Sequence, residues 1–246
     1  MIHYEFTRYL QPTNHSCAQA AFAMLLSYYD EQLTPDNVLS EVEANKDEQG
    51  NDIGSIIQDL ARFCVERGHK TTIHSADFQL LDTTWSALTQ KEIRARLDQV
   101  RAVRNVPALG DFWVKQYLKS YAKFMDAGGY VKVVQYFSEE YFDELLQHGP
   151  FLPTVAPAVL YGDGHTRTED SEVRQAVSDD INGDVGTHSV VVYGKSEVGE
   201  YLVADPWYGD KIVTPQALAA ACAGAQIECD NLIVTIEKKQ GEGSTR

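Results

Sequence analysis

Three things are scarce in this chain, and each scarcity closes off a class of protein. Cysteine is the first: Cys17, Cys64, Cys222 and Cys229 stand far apart with no CxxC pair, so neither a zinc site nor a disulfide framework is expected. Long apolar runs are the second. No stretch approaches the ~20 residues that span a bilayer. The opening MIHYEFTRYLQ also lacks the basic region followed by an apolar run that marks a secretory signal. The expectation is a cytoplasmic protein with no membrane partner. Positive charge is the third: 36 acidic residues against 21 basic give a net charge of −15, which repels a nucleic-acid backbone or an anionic lipid surface.

What remains is an ordinary globular composition, 43% hydrophobic and 10% aromatic, sufficient for one large domain with a substantial core. No internal repeat is visible. The last residues, 238–246, KKQGEGSTR, have the composition of a disordered tail. The string DDINGD, from 179, lacks the acidic spacing and terminal glutamate of a calcium loop. It reads as an acidic surface loop, and no metal or organic cofactor is expected.

The most informative stretch is QPTNHSCAQAAFAMLLSYYD, Gln11 to Asp30. Ser16 is a good N-cap and Gln19 stands three residues on, so a capping box is expected with the helix beginning at Cys17. Cys17, Ala20, Ala21, Met24, Leu25 and Tyr28 recur at the spacing of one buried face. A thiol at a helix N-terminus meets unpaired amides and the positive end of the macrodipole, and both favour thiolate. A lone cysteine on an apolar face is also the mark of a small core residue, and this stretch by itself does not separate the two.

Further helices are expected after Thr34-Pro35, from about Ser55 to Arg67 with Gly68 as its stop, after the Thr89/Glu92 capping box, and from about Asp111 to Met125. Cys64 falls with Ile56, Ile57 and Leu60 on the face that the second of these should bury. KTTIH and YVKVVQY read as strands, Ser138 caps a helix through about His148, and SEVRQAVS is a short helical candidate. Residues 84–129 and 161–186 look like a helical insertion and a polar loop. Between helices, EANKDEQGNDIG reads as an acidic loop.

The second informative stretch, GTHSVVVYGKSEVGEYLVADPWYG, reads as a β-hairpin turning between Gly194 and Gly199. Pairing Tyr193 with Glu200 sets Val192 opposite Tyr201, Val190 opposite Val203 and His188 opposite Asp205, on one face. Such neighbours can be structural, yet a carboxylate directed at an imidazole also fixes a catalytic base in tautomer and orientation.

Cys17, His188 and Asp205 have the residue types and chain order of a cysteine-nucleophile triad, and Gln11, six residues before the cysteine, supplies a possible oxyanion donor beside the Cys17 N–H. On Q-x5-C, QPTNHSCAQAA, GSIIxxLA, the helix before Gly149-Pro150, THSVVVYG and ADPWYG, the chain resembles the papain-like cysteine peptidases. Within them it is most similar to the double-glycine, bacteriocin-processing peptidases and their stand-alone relatives. The resemblance implies an α+β papain-like domain over residues 1–237, its nucleophile helix packed on an antiparallel sheet that holds both the His188 and the Asp205 strand. It also implies Cys17 as nucleophile, His188 as general base and acid, Asp205 as orienting carboxylate and Gln11 as oxyanion-hole side chain. The expected activity is hydrolysis of a peptide or small amide through a thioester. Acyl transfer to an amine with the same triad, and a non-catalytic binding protein of the same fold, are the alternatives; oligomeric state is left open.

Overall fold

The computed structural model describes residues 1–29, 31–46, 54–104, 106, 110–162, 164–168, 176–183 and 185–237. The helices are α1 (Cys17–Ser27), α2 (Pro35–Glu41), α3 (Ile57–Glu66), α4 (Gln90–Val103), α5 (Asp111–Asp126), α6 (Glu139–Leu146), α7 (Pro157–Leu160) and α8 (Pro215–Gly224), with short 3-10 turns at Thr83–Ala87 and Ala225–Glu228. The strands are β1 (Ile2–His3), β2 (Lys70–Ser75), β3 (Tyr130–Val133), β4 (Leu152–Val155), β5 (Thr166–Thr168), β6 (Ala176–Ser178), β7 (His188–Ser189), β8 (Val191–Lys195), β9 (Tyr201–Asp205), β10 (Gly209–Val213) and β11 (Leu232–Glu237). The fold is α+β.

Two sheets carry the architecture, in the orders β1-β8-β9-β10 and β3-β2-β11-β4-β7, and β5 pairs with β6 apart from them. The larger sheets meet along the run from His188 to Lys195. Its first part pairs with β4, Val155 facing His188, and its second part pairs with β9. Val190 links the two, sending its N–H to Pro153 O at 3.4 Å, while Phe151 and Val192 bridge across the junction. The expected single antiparallel sheet is therefore corrected on two points. His188 and Asp205 lie on strands of two sheets joined at Val190, and β2 and β3 run parallel. A parallel pair needs a long crossover connection, and α4 and α5 are that crossover. The helical segment 84–129 is built into the core through Val114, Leu118, Tyr121 and Phe124 of α5.

The helix that begins at Cys17 is not amphipathic as the periodicity suggested. Every residue from Ala18 to Leu26 is buried, the condition of a helix enclosed on all sides: α2 and α3 cover part of it and β4, β7 and β8 the rest. Cys64 lies fully buried on α3, on the face expected for it. The cap at Thr34 forms, with Asn37 completing a capping box, as do the expected capping box at Thr89 and the Ser138 cap. The strand expected over YVKVVQY stops at Val133.

The hairpin differs from its expected register. A bulge between Val192 and Gly194 places Val192 opposite Val203 and Lys195 opposite Tyr201, and the turn closes tightly, Ser196 N–H to Glu200 O at 2.8 Å. The shift for Val192 is two residues, which preserves the faces of the residues before the bulge because the strand period is two. His188 and Asp205 thus keep one face without standing directly opposite each other. The helix expected over SEVRQAVS is also corrected: its described end, Ala176–Ser178, is strand β6. The rest of that string, most of the acidic loop before α3 and the 238–246 tail lie outside the described residues.

Candidate active site

Cys17 takes the first position of α1, and the reason its helix starts there is not the expected one. Ser16 makes no side-chain cap. Its hydroxyl instead accepts from the Thr13 N–H at 2.9 Å and donates to Thr13 O at 3.1 Å, tying a turn ahead of the helix. Gln19 turns away to Ser55 Oγ at 2.6 Å and Val42 O at 3.2 Å. The capping box fails, and with no side chain capping them the first-turn amides keep their partial positive charge directed at the sulfur.

The thiol meets the start of β7. Cys17 is half-buried, hydrogen-bonded to the His188 imidazole and to the Ser189 backbone N–H. His188 in turn donates from Nε2 to Asp205 Oδ1 at 3.0 Å, which leaves Nδ1 as the ring nitrogen for sulfur. Burial works to raise the thiol's pKa, but the imidazole's hydrogen bond and charge, with the Ser189 N–H, outweigh it, and Cys17 is lowered below its ordinary value. The other three thiols are governed by burial, reinforced by acidic neighbours at Cys64 and Cys229 and only partly offset by Arg67 at Cys64. Cys64 and Cys222 are pushed far up and Cys229 to about 12. Desolvation opposes the imidazolium of His188, yet the Asp205 charge and hydrogen bond hold its pKa well above the usual range.

Asp205 is fixed more firmly than the sequence reading foresaw. Besides His188, Oδ1 accepts the backbone N–H of Trp207 at 2.6 Å and of Tyr208 at 2.9 Å, and Oδ2 accepts the hydroxyl of Tyr161. Burial favours the neutral acid, and His188 with these donors overrides it, so the carboxyl stays below its normal pKa. The Asp-Pro turn of DPWYG carries a local signal for the two backbone bonds, since aspartate binds amides two and three residues on. Nothing local announces Tyr161. It sits at the end of α7, stacked edge-on against Tyr208 with ring centroids 5.4 Å apart.

Gln11 is fully buried, and its N–H donates to Pro206 O at 2.9 Å, which seats it beside the turn after Asp205. Its side-chain Nε2 donates to Thr13 O at 2.7 Å. A primary amide nitrogen carries two N–H donors, and this bond fixes the direction of both.

Three side chains distant in sequence thus form one hydrogen-bonded line from thiol to imidazole to carboxylate. Such a line can hold a thiolate-imidazolium pair and move a proton along one defined path. Among the described residues no group of three or more His, Cys, Asp or Glu side chains is arranged to hold a metal ion. No helix among them is long and apolar enough to cross a membrane. Comparison of the chain with family models finds no match. A comparison with curated proteins also finds none.

Proposed function

We propose that the protein is a papain-like cysteine hydrolase that cleaves a peptide or other amide bond through a thioester on Cys17. The observation that supports it best is that Cys17 alone of the four cysteines has its thiol lowered, by a histidine that an aspartate holds in place. In this reaction the Cys17 thiolate attacks the amide carbon. The carbonyl π electrons move onto oxygen, facing the Cys17 backbone N–H and the Gln11 amide. His188 gives its proton to the departing nitrogen as the C–N bond breaks. Water then loses a proton to His188 as its oxygen adds to the thioester, and the thiolate leaves with the acid released.

The test is turnover of a mixed peptide library, with products read by mass spectrometry for the wild type and for Cys17→Ala. Cleavage confined to the wild type, with an acyl adduct on Cys17 trapped at low pH, is the expected result. Amide products formed when an amine is added would move the assignment to an acyltransferase. An adduct that never forms, together with Cys17 labelling no faster than Cys64, Cys222 and Cys229, would overturn the proposal.

Gln11→Ala separates binding from catalysis at the same site. Removing a donor that acts on charge present only in the transition state is expected to lower kcat by on the order of 10²-fold. The alkylation rate of Cys17 should stay as in the wild type. A rise in KM at constant kcat would make Gln11 a substrate-binding residue.

A further inference from the structure

A second group of buried polar side chains shares the sheet face covered by α1. The β2–β11 ladder pairs Ser75 with Leu232 and continues through the Ala76 N–H, which donates to Asn231 O at 2.9 Å. Beyond it both chains turn, Leu232 N–H donating to Asp230 O at 2.7 Å and Leu81 N–H to Asp77 O at 3.0 Å, and the turns leave Asp77 and Asp230 near enough for their charges to interact. Both are buried, at 1% and 5% exposure, and neighbouring like charges out of water destabilise each other. Asp77 Oδ1 accepts from Gln79 N–H, Leu80 N–H and Gln226 Nε2, at 2.9, 3.2 and 2.7 Å. Its Oδ2, and Oδ1 of Asp230, have no hydrogen-bond partner among the described residues. No described ion pair engages either residue.

An independent feature points the same way. Thr154 of β4 is 1% exposed and its hydroxyl is also unpartnered. Thr154 pairs with Ser189 on one side, and the β4–β11 register sets it level with Leu232 on the other. Its side chain therefore shares the face of Leu152, Leu232 and Val234, the face packed against α1. From there it lies on the strand between β11, whose start Asp230 precedes by two residues, and the Ser189 N–H that touches the Cys17 sulfur. Two strand spacings, about 10 Å, separate Ser189 from the Asp230 strand.

We infer that Asp77 and Asp230, with the Thr154 hydroxyl on the strand between them and the Cys17 site, form a subsite for a cationic group. The occupant is the ammonium or guanidinium of a substrate residue next to the amide that Cys17 attacks. The inference rests on the reading of Cys17 as nucleophile. It adds the substrate class: basic residues beside the cleaved bond. The cation completes what the protein leaves unmet, giving Asp77 Oδ2 and Asp230 Oδ1 a donor each and the threonine oxygen a third. Titratable and charged groups facing the subsite come from every neighbouring element: Glu228 and Cys229 before β11, Tyr117 and Tyr121 of α5, Cys17 of α1 and Arg104 after α4. Burial, tempered by its hydrogen bonds and by Arg104, leaves Asp77 with a pKa raised to about 6. Burial, then Glu228 and Asp77, hold Asp230 well above the carboxylate range.

The probes are three methanethiosulfonates carrying an ethylammonium, a methyl or an ethylsulfonate group, with the modification rate of Cys17 followed by mass spectrometry. The ratio of the cationic to the anionic rate is compared for the wild type, Asp230→Asn, Asp77→Asn and Asp98→Asn, the last an exposed site on α4 that corrects for net charge. The ratio is expected to fall roughly tenfold in Asp77→Asn, the order of a unit-charge interaction across about 10 Å of protein interior, by less in Asp230→Asn, whose carboxyl burial holds above the usual range, and to hold in Asp98→Asn. In the wild type it should decline as pH falls through about 6, where Asp77 takes up its proton. Asp77→Asn keeps an oxygen for the Gln79 and Leu80 amides, and the wild-type pH dependence supplies the same readout if that variant fails to fold. A ratio unchanged in both variants, or changed equally in Asp98→Asn, overturns the subsite. The neutral reagent tests the nucleophile separately: slow modification of Cys17 by it would remove the premise while leaving the charge ratio measurable.

Discussion

His188→Ala is expected to slow alkylation of Cys17 at neutral pH by on the order of 10²-fold and to reduce any Cys17-dependent turnover by on the order of 10⁴-fold or more. Burial, the largest influence on the Cys17 thiol, acts to raise its pKa and is overcome chiefly by the hydrogen bond and charge of His188. Without the imidazole, only the Ser189 N–H and the α1 amides still favour thiolate, and the thiol should titrate at or above its ordinary value. In the wild type, the alkylation rate plotted against pH should rise below the ordinary thiol range and then level off, because the thiolate is already formed beside an imidazolium. In His188→Ala the rise should move to higher pH and reach a similar limit. Identical profiles for the two proteins would show that His188 does not control the thiol.

Asp205 is expected to separate orientation from charge. In Asp205→Asn the amide oxygen can keep its place among the His188 Nε2, Trp207 and Tyr208 donors. The Nδ2 group then faces the Tyr161 oxygen, which must turn from donor to acceptor. The fold and the imidazole position should survive, but the negative charge that stabilises the imidazolium is gone. Turnover should fall roughly 10- to 100-fold, with the upper pH limit of activity moved down as the His188 pKa drops.

Asp205→Ala is the severe change. It leaves two backbone amides, a tyrosine hydroxyl and a buried imidazolium without an acceptor, a loss of about 3–5 kcal/mol. That corresponds to a fall in Tm of roughly 10 °C for a chain of this size. Asp205→Ala melting within a few degrees of the wild type, by calorimetry, would contradict the role assigned to the carboxylate. The pair also sets a pH window. The Asp205 pKa is depressed on folding, so its contribution is present above the unfolded carboxyl range and lost as pH falls through the folded value. The His188 pKa is raised, so its contribution is complete below about 6.5, the unfolded value, and is lost as pH rises towards the folded one. Both are fully present between the unfolded pKa values, about 4 to 6.5.

Much of this was written locally. The caps at Thr34, Thr89 and Ser138 depend on residues three apart, and so the sequence alone determines them. So does the start of α1 at Cys17, although the expected reason was mistaken: Gln19 is drawn to Ser55 and Val42, partners that come near only after α2 and α3 have folded against α1. The alternation of residues along 188–195 and 201–205 settled which face His188 and Asp205 share, because a two-residue error leaves strand parity intact. It could not settle their pairing, since a single bulge and the choice between β4 and β9 as neighbour are decided by packing across both sheets.

The sequence by itself determined the α+β class, the caps at Thr34, Thr89 and Ser138 and the residue types available for chemistry, because the caps follow from contacts a few residues apart and the rest from composition and local pattern. Only the tertiary structure decided that Cys17 lies against His188 and Ser189, that Tyr161 closes on Asp205, and that Asp77 comes near Asp230. These contacts join residues tens to more than a hundred positions apart. The free energy that brings them together is the burial of α1 and both sheets, and it depends on the whole chain and not on any one stretch.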